Sequence, residues 1–230
     1  DRNSIMSNTV RSLLCDSKGR LWVGLLNGLQ LYDPQKDCFS NVSFGSLGYT
    51  PSVSMISETS SGSLLIVVSR IGIFKVDPEN MAAVQINEIT EICGTSSFND
   101  VFEDTHGRLW ISSQDKGLFC LDRGYVKQSQ YNFGEKWETA GITRQNSLGV
   151  IIHAGQGKVW MFDEVHKRFI RARFDDGGEL GIYDMLRSAD GNFYIATDGH
   201  GILKINEEEN CLEKADLKYP DGMDLTDASI

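Results

Sequence analysis

The chain has 230 residues, 40% of them hydrophobic, with 32 acidic against 22 basic side chains and a formal net charge of −10. That apolar share is enough for a packed core and excludes a disordered chain. The acid excess, with no Lys/Arg stripe, excludes a duplex-binding surface or an anionic-membrane surface, and no run reaches the roughly 20 apolar residues of a bilayer span.

The first predicted strand is the short apolar run Val10–Leu14. Asp16-Ser17-Lys18-Gly19 follows, with Asp at the first and Gly at the fourth position of a type I turn. Its carboxylate can accept from a backbone N–H two residues on. Leu21-Trp22-Val23 opens a second strand, Asn27-Gly28 reverses the chain, and Leu29–Tyr32 makes a third. Asp33-Pro34 stops that strand, because proline has no N–H for the ladder, and Phe39–Phe44 is read as a fourth, outer strand.

The same order of signals returns along the chain. Turn glycines stand at Gly19, Gly62, Gly107, Gly149 and Gly191, spaced 43, 45, 42 and 42 residues apart. Three residues before them come Asp16, Thr59, Asp104, Asn146 and Ser188, each with a side-chain oxygen that can cap the turn. Three residues after come Trp22, Leu65, Trp110, Ile152 and Tyr194, each large enough to fill space between sheets. A second glycine recurs as Gly28, Gly72, Gly117, Gly157 and Gly201. A period in the low forties built from short strands predicts propeller blades. The chain is therefore read as all-β, a β-propeller of five four-stranded blades of about 43 residues. The blades are expected at 5–47, 48–92, 93–136, 137–177 and 178–222, with 223–230 the start of a next blade. Thr90–Ser97 and Asn206–Ala215 are read as linkers, irregular or with a single turn.

Leu225–Ile230 is similar to Ile5–Val10, so the chain is expected to be a piece of a longer protein, with any targeting segment outside it. An open arc of five blades would expose two blade faces, so either an incomplete ring from a larger propeller or a dimer hiding the open ends is expected. Cys15, Cys38, Cys93, Cys120 and Cys211 are scattered and form no C-x-x-C, so they are read as free or partly buried thiols, a Cys15–Cys38 disulfide being the alternative.

The string Val10-x-x-Leu13-x-x-Asp16-x-x-Gly19-Arg20-Leu21-Trp22-Val23-Gly24, with Asn27-Gly28-Leu29 and Tyr32-Asp33, resembles the two-component regulator propeller repeat. Phe98–Asp122 repeats it, through Asp104, Gly107-Arg108-Leu109-Trp110 and Gly117-Leu118. The resemblance implies a segment of a seven-bladed propeller in the periplasmic sensor region of a hybrid two-component histidine kinase. The parent would be anchored in the inner membrane, homodimeric, and would detect oligosaccharides to regulate polysaccharide-utilisation genes. No cofactor, nucleic acid or metal is expected for this segment, and membrane contact only through the parent's transmembrane helix.

Binding residues are expected on loops held by a rigid scaffold. Those at the end of the blades opposite Asp16 and Asp104 are Asn27, Arg70, Lys116, Asp198 and His200 on hairpins, and Trp137 on a connection, as a stacking platform for a sugar. Asp16, Gly19, Trp22, Gly28, Asp104, Gly107, Trp110, Gly117, Gly191, Tyr194 and Gly201 are read as turn and core residues. Asp175–Glu179 lacks the alternating spacing of a calcium loop and is read as a solvated turn. No nucleophile elbow, P-loop or zinc-helix motif occurs. The segment is expected to be non-catalytic. A metal-dependent propeller lyase or lactonase, and a protein-interaction platform, are the alternatives.

Overall fold

The computed structural model describes all residues except 1–3, 48–49, 134–140, 147, 156, 175–179, 189–190 and 217–230. The protein is a β-propeller, with five four-stranded antiparallel sheets among the described residues, each with its strands in chain order. The chain divides into two compact units, Asp1–Ala140 and Gly141–Ile230.

The first unit holds three blades. Blade one is β1 (Val10–Cys15), β2 (Leu21–Leu25), β3 (Gly28–Asp33) and β4 (Cys38–Asn41). Blade two is β5 (Val53–Glu58), β6 (Leu64–Val68), β7 (Gly72–Asp77) and β8 (Ala82–Gln85), followed by the helix α1 (Asn87–Cys93). Blade three is β9 (Phe98–Glu103), β10 (Leu109–Ser113), β11 (Leu118–Leu121) and β12 (Lys127–Tyr131). We call the four strands of any blade A to D.

β6 shows why a continuous apolar run suits a blade interior. Leu64, Ile66 and Val68 pack with Trp22 and Leu29 of blade one, while Leu65 and Val67 pack with Phe98, Leu109 and Ile111 of blade three. A strand covered on both faces has no position for a polar side chain, and all five of its residues are buried.

The blades are also laced at their edges. The outer strand of blade one ends at Asn41, shorter than the expected Phe39–Phe44, because Ser43 leaves the sheet for blade two: its N–H donates to Met81 O at 2.8 Å, and Ala83 N–H donates back to Ser43 O at 2.8 Å. Between blades two and three the linker expected at Thr90–Ser97 is partly helical. α1 starts at Asn87, ahead of that segment, and buries Ile89 and Cys93, four residues apart on one face. Gly94 closes it in the left-handed conformation, its N–H donating to Thr90 O.

The second unit holds blade four, β13 (Gly141–Gln145), β14 (Ile151–Gly155), β15 (Lys158–Asp163) and β16 (Arg168–Arg171), and blade five, β17 (Gly181–Arg187), β18 (Phe193–Asp198), β19 (Ile202–Asn206) and β20 (Cys211–Lys214). Ile152, Met161, Met185, Phe193, Ile195 and Leu203 form part of their shared core. The segment 206–215, expected as a linker, is a turn and an outer strand. Asn206 Oδ1 accepts the Glu209 N–H at 3.1 Å, and Leu212 is drawn into the core while its N–H donates to Arg173 O at 2.8 Å. Local polarity hides that strand, since Leu212 alone carries its burial.

All five cysteines are free thiols, so Cys15 and Cys38 are not bridged. No helix among the described residues is long and apolar enough to cross a membrane.

Candidate functional site

At one end of the blades in the first unit lie the A–B turns. In blade one, Asp16 Oδ1 accepts the backbone N–H groups of Lys18 and Arg20 at 3.0 and 2.9 Å, and Oδ2 accepts Arg20 Nε at 2.7 Å and Trp22 Nε1 at 2.8 Å. Asp104 repeats this with His106, Arg108 and Trp110, at 2.9, 2.9, 2.6 and 2.9 Å. The guanidinium of Arg20 lies 5.5 Å over the Trp22 ring and that of Arg108 5.3 Å over Trp110. Burial pushes both carboxyls upward, but the tryptophan and arginine bonds outweigh it and hold them below the ordinary carboxylate value. In the second unit Asn146 plays a reduced part, its Oδ1 accepting Leu148 and Val150 N–H at 3.0 and 2.7 Å. Gly19, Gly107 and Gly191 close their turns at positive φ, of 76°, 75° and 87°.

Neighbouring turns are tied across blades. Glu58, the last residue of β5, accepts the Ser17 N–H at 2.8 Å and the Ser17 Oγ–H at 2.6 Å. One blade on, Glu103 accepts the Ser60 N–H in the same way.

The opposite end carries the residues expected to bind ligand. In the first unit, Asn27 donates its side-chain amide to Met6 O at 3.2 Å. Arg70 is exposed, sits at φ 63°, and its carbonyl accepts from Ser96 Oγ at 3.1 Å. Lys116 is exposed, with its backbone held by Ser113 Oγ and Gln130 Nε2 at 2.8 and 2.7 Å. Thr95 Oγ1, beside Ser96, donates to Asp115 Oδ1 at 3.0 Å, so one connection links the Arg70 hairpin to the Lys116 hairpin. That connection carries no sequence signal beyond its hydroxyls.

In the second unit, Asp198 is exposed and its carbonyl lies 3.3 Å from His200 Nδ1. The His200 ring meets Phe174 edge-on at 5.3 Å between centroids. Phe174 was not among the expected residues; it is simply the last aromatic before the connection between blades four and five. Gly28, Gly117 and Gly201 stand at positive φ in the hairpins, Trp22 and Trp110 are fully buried, and Tyr194 is half-buried. Trp137, Asp175–Glu179 and the expected next-blade segment 223–230 lie outside the described residues.

His153 is the one fully buried histidine among the described residues. Its Nδ1 lies 3.0 Å from Thr143 Oγ1, and burial drives it down to about 3, so it is neutral. At the start of β20, Glu209, Cys211 and Glu213 bring three donor atoms within 4.8 Å of one another. Burial and the two carboxylates raise the Cys211 thiol above its ordinary value, which keeps it protonated.

Residues 4–27 match the two component regulator propeller family. No curated protein sequence is detectably similar to the chain. Among solved structures, the extracellular domain of a protein designated a hybrid two-component system of B. thetaiotaomicron superposes with a TM-score of 0.78 at 18% identity, over 98% of this chain and 31% of that one. A second such domain from the same organism gives 0.76 at 16%, over 94% and 32%. Virginiamycin B lyase from Staphylococcus aureus gives 0.73 at 11%, over 95% and 74%. At these identities the likeness is one of fold, and the chain spans about a third of the length of the extracellular domains it matches. The chain is a β-propeller that carries the two-component regulator propeller repeat.

Proposed function

We propose that the chain is part of the extracytoplasmic sensor of a hybrid two-component histidine kinase, that it is itself non-catalytic, and that it helps detect an oligosaccharide controlling polysaccharide-utilisation genes. The parent would be a homodimer anchored in the inner membrane, and ligand would shift it between two arrangements by binding one better than the other. The observation that carries this reading is the Asp-Arg-Trp turn, built with the same bonds in blades one and three and matched over residues 4–27 to the two-component regulator propeller. The fold it shares with extracellular domains designated as belonging to hybrid two-component systems of B. thetaiotaomicron supports the same reading.

The lyase fold likeness adds no chemistry to it. The recurring aspartates Asp16 and Asp104 are taken up by turn, arginine and indole bonds, which leaves them no role as convergent acid–base groups. The test is autophosphorylation by the intact membrane protein against a panel of oligosaccharides. One oligosaccharide class is expected to change the rate several-fold. An equal response to every sugar, or a reading frame without a kinase, would overturn the proposal.

A further inference from the structure

The first unit has two equivalent grooves between blades at its A–B turn end, and they are closed differently. In the groove between blades one and two, Lys18 Nζ and Arg20 Nη1 converge on Glu79 Oε1, at 2.8 and 3.3 Å. Trp22 fills the space beneath. Aligning the repeats puts Ser61 in place of Lys18, Ser63 in place of Arg20, Gly124 in place of Glu79 and Leu65 in place of Trp22. Every group that closes the first groove is thus replaced by a smaller one. A cavity of about 260 Å³ opens between blades two and three at this position.

Its walls are not neutral. Lys75 projects from β7 opposite Leu65, at a register position held by Leu31 in blade one and Cys120 in blade three. Arg123 comes from the C–D turn of blade three and lies against the turn glycine Gly107, where a Cβ would stand 1.8 Å from its Nε. Among the described residues, neither cation forms a salt bridge. The carboxylate on the wall, Glu103, already accepts the Ser60 N–H. Ser60, Ser61 and Tyr125 add hydroxyl groups.

Two cations that form no salt bridge among the described residues, at a small concave site in a chain of net charge −10, favour an anion. The hydroxyls and the free capacity of Glu103 favour a ligand that also carries O–H groups. The volume lies just under the roughly 300–1,000 Å³ of drug-sized sites and suits a single ring with one acidic group. We propose that this cavity binds one compact, hydroxylated organic anion of sugar-acid size. Its acidic group would lie toward Lys75 and Arg123 and its hydroxyls toward Ser60, Ser61 and Glu103. The choice of a sugar acid rests on the sensor reading, whereas the anion chemistry stands without it.

The experiment is an amide-resolved NMR titration of the chain with D-glucuronate, D-glucose and inorganic phosphate. Glucuronate is expected to shift Ser60, Ser61 and Gly124 saturably, with glucose and phosphate each at least about tenfold weaker. Lys75→Gln and Arg123→Gln, both exposed substitutions, should each weaken glucuronate several-fold. A Ser61→Lys, Ser63→Arg, Gly124→Glu variant copies the closure of the first groove and should abolish binding without loss of thermal stability. Glucose binding as tightly as glucuronate, no saturable shift, or full binding by the closed variant would overturn the proposal. Equal binding of phosphate would overturn the sugar-acid assignment. Glucuronate binding alongside a kinase that ignores every sugar would sink the sensor reading and leave this site standing.

Discussion

The Trp22 indole N–H donates to Asp16 Oδ2 across 2.8 Å, in a place where both side chains are buried. One carboxylate thereby joins a turn to the core wedge between blades, and Asp104 with Trp110 repeats the arrangement. Removing the carboxylate strands several donors at once. Asp104→Ala is expected to cost roughly 3 kcal/mol in urea unfolding, since a buried unsatisfied donor costs about 1–3 kcal/mol. Trp110→Phe in the Asp104→Ala background should then cost less than in the native chain. Full additivity would show that the two side chains do not act as a pair.

His153 makes stability depend on pH. Its folded value is pushed down to about 3, against 6.5 ordinarily, so it is neutral when folded and takes up a proton on unfolding in acid. The contribution is complete above about pH 6.5 and shrinks as pH falls toward 3, with a slope approaching about 1.4 kcal/mol per pH unit. Asp16 and Asp104 act lower, their stabilisation fading only as pH falls below the ordinary carboxylate value of 3.8. Thermal melts between pH 7 and 4.5 should show a falling Tm in the native chain and a flatter profile in His153→Leu.

Two glycines separate backbone strain from collision. Gly19 has φ +76°, and a Cβ placed there would meet nothing within 4 Å, so Gly19→Ala should cost only about 1 kcal/mol for the left-handed conformation. Gly117 has φ +93°, and there a Cβ would lie 2.3 Å from the Tyr131 carbonyl oxygen, a backbone atom of β12. Gly117→Ala is expected to cost at least about 2 kcal/mol more and to loosen the outer strand. Equal midpoints for the two variants would refute the contrast.

The Glu58–Ser17 tie predicts a local effect rather than a global one. It is exposed to solvent, so Glu58→Ala should cost about 1 kcal/mol or less. Hydrogen exchange at the Ser17 amide should nevertheless quicken clearly, while amides in β6 keep their protection.

Much of the local architecture was written in the residue order. Turn glycines, their capping oxygens and the hairpin glycines obey short-range steric and hydrogen-bond rules, so their recurrence announces four-stranded blades before any contact is seen. α1 and β20 escaped because their only signals are one or two apolar residues, Ile89 with Cys93 and Leu212, whose burial depends on neighbours supplied by other blades. The links from Ser43 to Met81, from Ser17 to Glu58 and from Thr95 to Asp115 join residues distant along the chain, and nothing in the local sequence around either partner marks them. The same holds for the cavity beside Lys75 and Arg123. Periodicity can list which residues replace Lys18, Arg20 and Glu79, but only packing in three dimensions shows that those three meet, and therefore that their loss leaves room.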